Sequence, residues 1–141
     1  MSSTRADYVA FRTLPTRWFD NDIYGHLNNT VHYQLFDTAV NGHLLDAGVL
    51  DPTGGDTVFL VIESGCRYHA PLSYPVHIEA GLRVAHLGKS AVRYEIGLFG
   101  GSEETAAAEG FFVHVNVDRQ ARTKAPIPDA TRKVLQSLRA T

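Results

Sequence analysis

Disulfide bonds and membrane spans are the first features that this sequence lacks. Its 141 residues include 1 cysteine, Cys66, so no disulfide can form within the chain, and a reducing compartment is the natural expectation. No stretch approaches the roughly 18 consecutive apolar residues of a membrane-spanning helix. The first seven residues are polar and lack the apolar segment of a secretory signal. We therefore expect a cytoplasmic protein that does not bind membranes.

A surplus of charge of one sign is also missing. The chain has 13 Lys and Arg against 15 Asp and Glu, a formal net charge of -2, so it lacks the basic character of nucleic-acid-binding proteins. Hydrophobic residues make up 44% and charged residues 20%, which is the balance of a globular protein. A chain of this length can bury a core without disulfides or a structural metal, and it suits one domain over residues 1–141.

Hydrophobic periodicity predicts one long helix in the first half of the chain, after a strand within residues 7–18. The helix begins at Asn28, Asn29 or Thr30, which are suitable caps, and ends at Gly48. It has about five turns, by the 3.6-residue period. Its wide apolar stripe predicts burial; the stripe consists of Val31, Leu35, Phe36, Ala39, Val40, Leu44 and Ala47.

The second half of the chain has the pattern of a sheet. The continuous apolar run 58–62 predicts a central strand. Alternating segments at 76–84, 92–98 and 104–118, joined by short glycine-containing turns, predict an antiparallel meander. A short helix is expected at about residues 129–139. One sheet packed on one buried helix is an α+β architecture, with its core at about residues 7–128.

The densest polar cluster directly precedes the long helix. The N-terminus of a helix presents unpaired N–H groups and the positive end of the helix dipole, which can stabilise an oxyanion. A carboxylate such as Asp22, a few residues upstream, could act on the same carbonyl as base or nucleophile, which suits acyl transfer. The alternative is a polar loop that only caps the helix. The cluster comprises Asp20, Asn21, Asp22, His26, Asn28, Asn29 and His32.

The stretch Trp18–Asn29, WFDNDIYGHLNN, resembles the Asp-x-Asp-x-x-Gly-His-Val-Asn-Asn signature of hotdog-fold acyl-CoA thioesterases of the 4-hydroxybenzoyl-CoA thioesterase-like family. The resemblance continues in Phe36–Ala39, Val61–Pro71 and Leu87–Ser90, and spans roughly residues 9–128. It implies an antiparallel sheet wrapped around one long central helix, and hydrolysis of an acyl-CoA to free acid and CoA. It also implies that no metal or organic cofactor is needed, and that the protein is a homodimer or homotetramer with sites at the subunit interface.

The resemblance assigns roles to individual residues. Asp22 is the expected catalytic carboxylate, as general base or nucleophile, and backbone N–H groups around Asn29 would hold the thioester oxygen. Asp20 would orient the loop, while His26 and Asn28 would shape the loop or touch the substrate. Candidates for binding the CoA phosphates are Arg67, Lys89 and Ser90.

Two positions depart from the commonest family pattern and leave the acyl preference open. His32 stands where Tyr is frequent, and Asp37 where Glu is frequent. A second subgroup of hotdog thioesterases carries its catalytic Glu within the long helix; here that region offers only Asp37, which favours Asp22. Aromatic residues near the motif could line an aryl pocket or pack the core; they are Trp18, Phe19, Tyr24, Tyr33 and Phe36.

Other chemistries fit the motif less well. An EF-hand calcium loop is rejected because Tyr24 and Val31 would stand at positions that need oxygen ligands. His26 and His32 lack the spacing of a helical zinc pair, so no metal is expected. A hotdog hydratase or dehydratase would use Asp22 with His26, but the Asn-Pro context of hydratase motifs is missing. A non-catalytic acyl-CoA-binding protein stays open, because fold alone does not establish function.

Overall fold

The structure, a computed structural model, describes residues 2–140, so the predicted domain limits 1 and 141 lie outside the described residues. The strands form one antiparallel sheet in the order β1-β3-β4-β5-β2. In chain order the elements are β1 (Ala10–Leu14), α1 (Asn29–Asp46), β2 (Thr57–Tyr68), β3 (Ile78–Leu87), β4 (Ala91–Gly100), β5 (Ala108–Asp118) and α2 (Asp129–Ser137). The predicted element order and the β3–β4–β5 meander are confirmed. Neither helix in this described part combines the length and apolarity needed to cross a bilayer.

The long helix α1 begins and ends where the sequence predicts. Asn28 is its N-cap, and the Asn28 side chain accepts a hydrogen bond from the Thr30 N–H at 3.0 Å. The helix has 18 residues, or about five turns. It stops before Gly48, whose φ of 74° lies in the left-handed region that glycine adopts without strain.

The core lies between α1 and the sheet, because α1 packs against β1, β3, β4 and β5. Phe36 and Val40 of α1 are fully buried there. The Phe36 ring lies directly on Gly110 of β5, where any added Cβ would overlap the ring. Glycine at this position therefore lets the helix approach the sheet closely. The sheet contributes alternating buried side chains, including Ile78, Ala80, Leu82, Val84, Tyr94, Ile96 and Leu98.

The prediction that the apolar run 58–62 is a central strand is wrong. This run lies in β2, which is the edge strand of the sheet next to β5. Val61 is 52% and Ile62 61% exposed. A continuous apolar run indicates that both faces of a strand are buried. It does not show whether the covering residues belong to the same chain or to another one. The edge of the described chain thus presents apolar surface of the kind that marks an interaction site.

Candidate active site

A cleft of ≈ 480 Å³ opens at the N-terminal end of α1. The loop before α1 and the segment after β2 meet here, because the Leu27 N–H donates to the Leu72 carbonyl at 2.7 Å. The Tyr68 hydroxyl donates to the Asn29 carbonyl at 3.0 Å and joins the end of β2 to the first residue of α1. The cleft is lined by Asp22, His26, Leu27, Asn29, His32, Tyr68, His69, Ala70, Pro71 and Leu72.

Asp20 anchors the loop from beneath and does not line the cleft. Its carboxylate is buried and accepts hydrogen bonds from the Arg17 backbone N–H at 2.7 Å and from the Arg17 guanidinium at 2.8 and 3.1 Å. Its carbonyl accepts from the Asn28 N–H at 2.9 Å. The side chain and the backbone carbonyl of Asp20 therefore both hold the loop in place, which suits the orienting role that the family resemblance implies.

A tight turn presents the Asp22 carboxylate to the cleft. The Asp22 N–H donates to the His26 carbonyl at 2.9 Å, and Gly25 adopts a left-handed φ of 84°. Oδ1 of Asp22 accepts from the Tyr24 N–H at 2.8 Å. Oδ2 lies 3.9 Å from His26 Nδ1, which is too long for a hydrogen bond. With 22% of the side chain exposed, one oxygen is held by the turn and the other is open.

The first turn of α1 supplies a free backbone donor to the same cleft. The Asn28 side chain is occupied, since it accepts from both the Thr30 N–H and the Thr30 hydroxyl at 3.0 and 2.9 Å. Asn28 therefore shapes the helix start and does not line the cleft. The Asn29 N–H has no hydrogen-bond acceptor within residues 2–140. An unpaired N–H at a helix N-terminus can bind a carbonyl or anionic oxygen.

His32 forms the inner wall of the cleft as an uncharged ring. It is 4% exposed, and burial lowers the pKa of its imidazole, partly offset by contacts with the carbonyls of Asn28 and Asn29. Nδ1 lies 3.3 Å from the Asn28 carbonyl, so Nδ1 carries the proton and Nε2 is an acceptor. The ring packs edge-on against Tyr68, with centroids 4.8 Å apart.

The structure brings together some of the predicted site residues and not others. Asp22, His26 and Asn29 share the cleft. Arg67 is exposed in a separate pocket of ≈ 280 Å³ on the sheet. Lys89 and Ser90 lie in the β3–β4 turn, at the end of the sheet opposite the cleft, and do not line it. The contacts of these three residues with CoA stay predictions.

Sequence reasoning missed Tyr68 and His69, which enter the cleft from the end of β2. His69 is tied in place by a hydrogen bond between its Nε2 and Glu109 of β5. The resemblance of Val61–Pro71 to the family was the available signal. Between residues 2 and 140, no cluster of three or more His, Cys, Asp or Glu side chains is placed to hold a metal ion.

A comparison with models of protein families shows which family this chain belongs to. The model of the thioesterase-like superfamily matches residues 16–135. The chain belongs to the thioesterase-like superfamily. The matched residues include the loop that carries Asp22, all of α1 and β2 to β5. No match was found among curated proteins.

Solved structures show what else this superfamily member resembles. The PA5185 protein from Pseudomonas aeruginosa is 46% identical, with a TM-score of 0.97 over 100% of this chain and 99% of that one. Slr0204, a 1,4-dihydroxy-2-naphthoyl-CoA thioesterase from Synechocystis, is 15% identical, with a TM-score of 0.84 over 91% and 96% of the chains. BH1999, a gentisyl-coenzyme A thioesterase, is 20% identical, with a TM-score of 0.77 over 89% and 99%. The last two show a shared fold, and the resemblance to hotdog-fold thioesterases is confirmed.

Proposed function

We propose that this chain hydrolyses an acyl-CoA thioester to a free acid and CoA in the cleft at the start of α1. The observation that carries the proposal is the pairing of an open Asp22 oxygen with the unpaired Asn29 N–H in one cleft. The first can act as base or nucleophile and the second can bind an oxyanion, which are the two requirements of acyl transfer. Superfamily membership supports the same reaction, and the names of Slr0204 and BH1999 describe CoA thioesterases.

In the proposed reaction the thioester carbonyl oxygen accepts a hydrogen bond from the Asn29 N–H. Asp22 either takes a proton from water as the water oxygen attacks the carbonyl carbon, or attacks that carbon itself to form an anhydride that water then cleaves. In both routes the carbonyl electrons move to the oxygen, and their return breaks the carbon–sulfur bond. In the base route the proton that Asp22 took from water passes to the leaving CoA sulfur. In the anhydride route the thiolate leaves first, water then delivers its oxygen to the acyl group and its proton to the thiolate, and Asp22 is again a carboxylate. The residues supply these steps without a resident metal or organic cofactor.

The exposure of Asp22 favours hydrolysis over non-catalytic binding of acyl-CoA. A binding protein would be expected to hold this carboxylate in a closed, water-excluded ion pair. Here 22% of the side chain is exposed and His26 Nδ1 is 3.9 Å away from Oδ2. Water can therefore reach the oxygen that the proposed reaction uses.

We also propose that the sheet curls around α1 as in other hotdog domains, and that the protein is a homodimer or homotetramer. The exposed edge of β2 supports this, because an unpaired apolar strand edge invites pairing with another chain. Trp18 and Phe19, just before the Asp22 loop, are 80% and 87% exposed, so they lie outside the core, and they do not line the cleft. Light scattering is expected to give a dimer or tetramer, and a monomer at micromolar concentration would contradict this.

Thiol release from a panel of short, long and aromatic acyl-CoA esters tests the proposed function. The wild type should hydrolyse at least one ester, and Asp22→Asn should lose about 10²-fold or more, the scale of general acid–base catalysis. Asp129→Asn, at an exposed position at the start of α2, is the matched control and should retain activity. No turnover of any ester, or full turnover by Asp22→Asn, would contradict the proposal.

A further inference from the structure

A second and larger cavity lies beside the C-terminal half of α1. Its volume is ≈ 720 Å³, and its walls come from α1, the segment that follows it, β2, β5 and the start of α2. We call it the His114 cavity, after the residue that lies on its β5 wall. The residues that line it include Asp37, Leu44, Leu50, Phe59 and His114. Its size is that of a small-molecule site. Its lining combines apolar residues, such as Leu44, Leu50 and Phe59, with a comparable number of polar and charged ones.

His114 is a buried polar residue without a hydrogen-bond partner. It is 4% exposed, and within the described chain neither Nδ1 nor Nε2 is hydrogen-bonded. Asn116, two residues later on the same strand, shows the usual outcome: its amide donates to the carbonyls of Ala125 and Pro126 at 3.3 and 3.0 Å. Leaving a buried polar group unpaired costs about 1–3 kcal/mol, so such a group calls for a partner that the chain itself does not supply.

The surroundings of His114 define the chemistry of that partner. The ring stacks on Phe112 with centroids 5.7 Å apart and meets Tyr94 edge-on at 5.2 Å, and Phe59 lies 6.0 Å away. Burial lowers the pKa of His114, while the Asp37 carboxylate acts in the opposite direction. The ring is therefore neutral near pH 7, with one N–H donor and one unprotonated acceptor.

The carboxylates of Asp37, Asp51 and Asp56 line the cavity and disfavour an anionic ligand. The guanidinium of Arg119, which also lines it, is engaged by the carbonyls of Gly54 and Gly55, so we expect the partner to be uncharged.

We propose that the His114 cavity binds a small, mostly apolar, neutral ligand through one hydroxyl or carbonyl oxygen hydrogen-bonded to His114. The apolar body would contact Leu44, Leu50 and Phe59. The oxygen would satisfy a ring nitrogen after the imidazole turns toward the cavity, because neither nitrogen is open to the cavity in the described chain. Two sources share this chemistry: the far end of the acyl group of a substrate, or a free small molecule. The first source rests on the proposed thioesterase function, whereas binding itself does not.

Phenol and toluene test the proposal on the wild-type protein, because they share a ring and differ by one hydroxyl. We would titrate each into protein with ¹⁵N-labelled histidine and follow the ring nitrogens of His114 by NMR. Phenol should shift these nitrogens and bind about tenfold more tightly than toluene, the value of one neutral hydrogen bond. Equal affinities, or His114 resonances that phenol leaves unmoved, would overturn the proposal.

A pair of variants tests whether His114 causes the tighter binding of phenol. His114→Phe keeps a flat ring but removes both nitrogens, so phenol and toluene should bind it equally. His77→Phe makes the same change at an exposed position outside the cavity and should keep the phenol preference. A phenol preference that survives His114→Phe would overturn the proposal. If His114→Phe does not fold, the wild-type titration still decides.

Inhibition of acyl-CoA hydrolysis separates the two sources. Competitive inhibition by phenol would make the cavity part of the acyl site, and binding without inhibition would make it a separate site. The NMR titration needs no turnover. A chain that binds phenol but hydrolyses no ester would thus refute the proposed function and leave this inference intact.

Discussion

Unpaired polar groups near the two ends of α1 differ in their exposure to solvent. At the N-terminal end, the open oxygen of Asp22 and the free N–H of Asn29 face a cleft that solvent reaches. Beside the C-terminal half, both nitrogens of His114 are buried and unpaired. An unpaired group in contact with water costs little stability. The Asp22 oxygen and the Asn29 N–H therefore indicate a function only because together they can carry out acyl transfer. An unpaired buried group costs stability and therefore calls for a partner that the described chain does not supply.

The largest expected effect comes from removing the backbone donor at the N-terminal end. Asn29→Pro deletes the N–H, and proline is well tolerated at the first position of a helix. Asn28, at φ -58° and ψ 138°, already has the backbone conformation that precedes proline. The expected loss in kcat is about 10²- to 10³-fold, the value of one oxyanion donor. Asn29→Ala, which keeps the N–H, should lose far less, and equal losses in both variants would argue against the amide.

At the other end of α1, the substitution that removes ligand recognition should stabilise the chain. His114→Phe replaces an unpaired polar ring with an apolar one among Phe59, Tyr94 and Phe112. The free energy of unfolding should rise by about 1–3 kcal/mol, the penalty of a buried unpaired group. Urea denaturation of both proteins measures it. A less stable variant would show that His114 is satisfied in the ligand-free protein.

Both ends should make stability depend on pH in the same direction. Burial lowers the pKa of His32 and His114 below 6.5, and His43 shifts likewise. As pH falls below about 6.5, the unfolded chain binds protons that the folded chain does not, so stability decreases, by at most about 1.4 kcal/mol per pH unit for each histidine. Unfolding measured between pH 7 and pH 5 should show this decline. His114→Phe should make the decline shallower, and an unchanged slope would contradict the burial of a neutral ring.

The smallest effect is expected at the helix cap. Asn28→Ala removes the acceptor of the Thr30 N–H and should destabilise the chain by about 1 kcal/mol. Thermal unfolding checks this against Thr38→Ala, an exposed mid-helix change. A cap variant as stable as this control would mean that the helix start is held by the loop alone.

Local signals in the sequence were sufficient for α1 and for the part of the site that one loop carries. The Asn28 cap, the 3.6-residue period and Gly48 all lie within the helix or next to it. Asp22, His26 and Asn29 share the cleft because one short loop and the first helical residue contain them all. Tyr68 and His69 could not be placed, because their positions depend on the path of β2 across the sheet.

Hydrophobic patterns did not predict burial correctly where the residues that cover a strand come from distant segments. The run 58–62 indicates burial, yet β2 lies at an edge that the chain itself leaves open. In β5 valines alternate with polar residues in the sequence, yet His114, Val115, Asn116 and Val117 are all buried. Asn116 is satisfied by carbonyls of the segment before α2. Periodicity within one strand cannot report such contacts, and so the His114 cavity left no mark in the pattern.

An aspartate-to-asparagine change, made once in the loop before α1 and once in the middle of α1, decides which carboxylate carries the chemistry. We would measure kcat and KM for thiol release by Asp22→Asn and Asp37→Asn with the best acyl-CoA ester of the panel. Asp22→Asn should lose about 10²-fold or more in kcat, whereas Asp37→Asn should leave kcat largely unchanged, because its carboxylate borders the His114 cavity and not the cleft. A collapse of kcat in Asp37→Asn with turnover preserved in Asp22→Asn would contradict this account and move the chemistry into the helix.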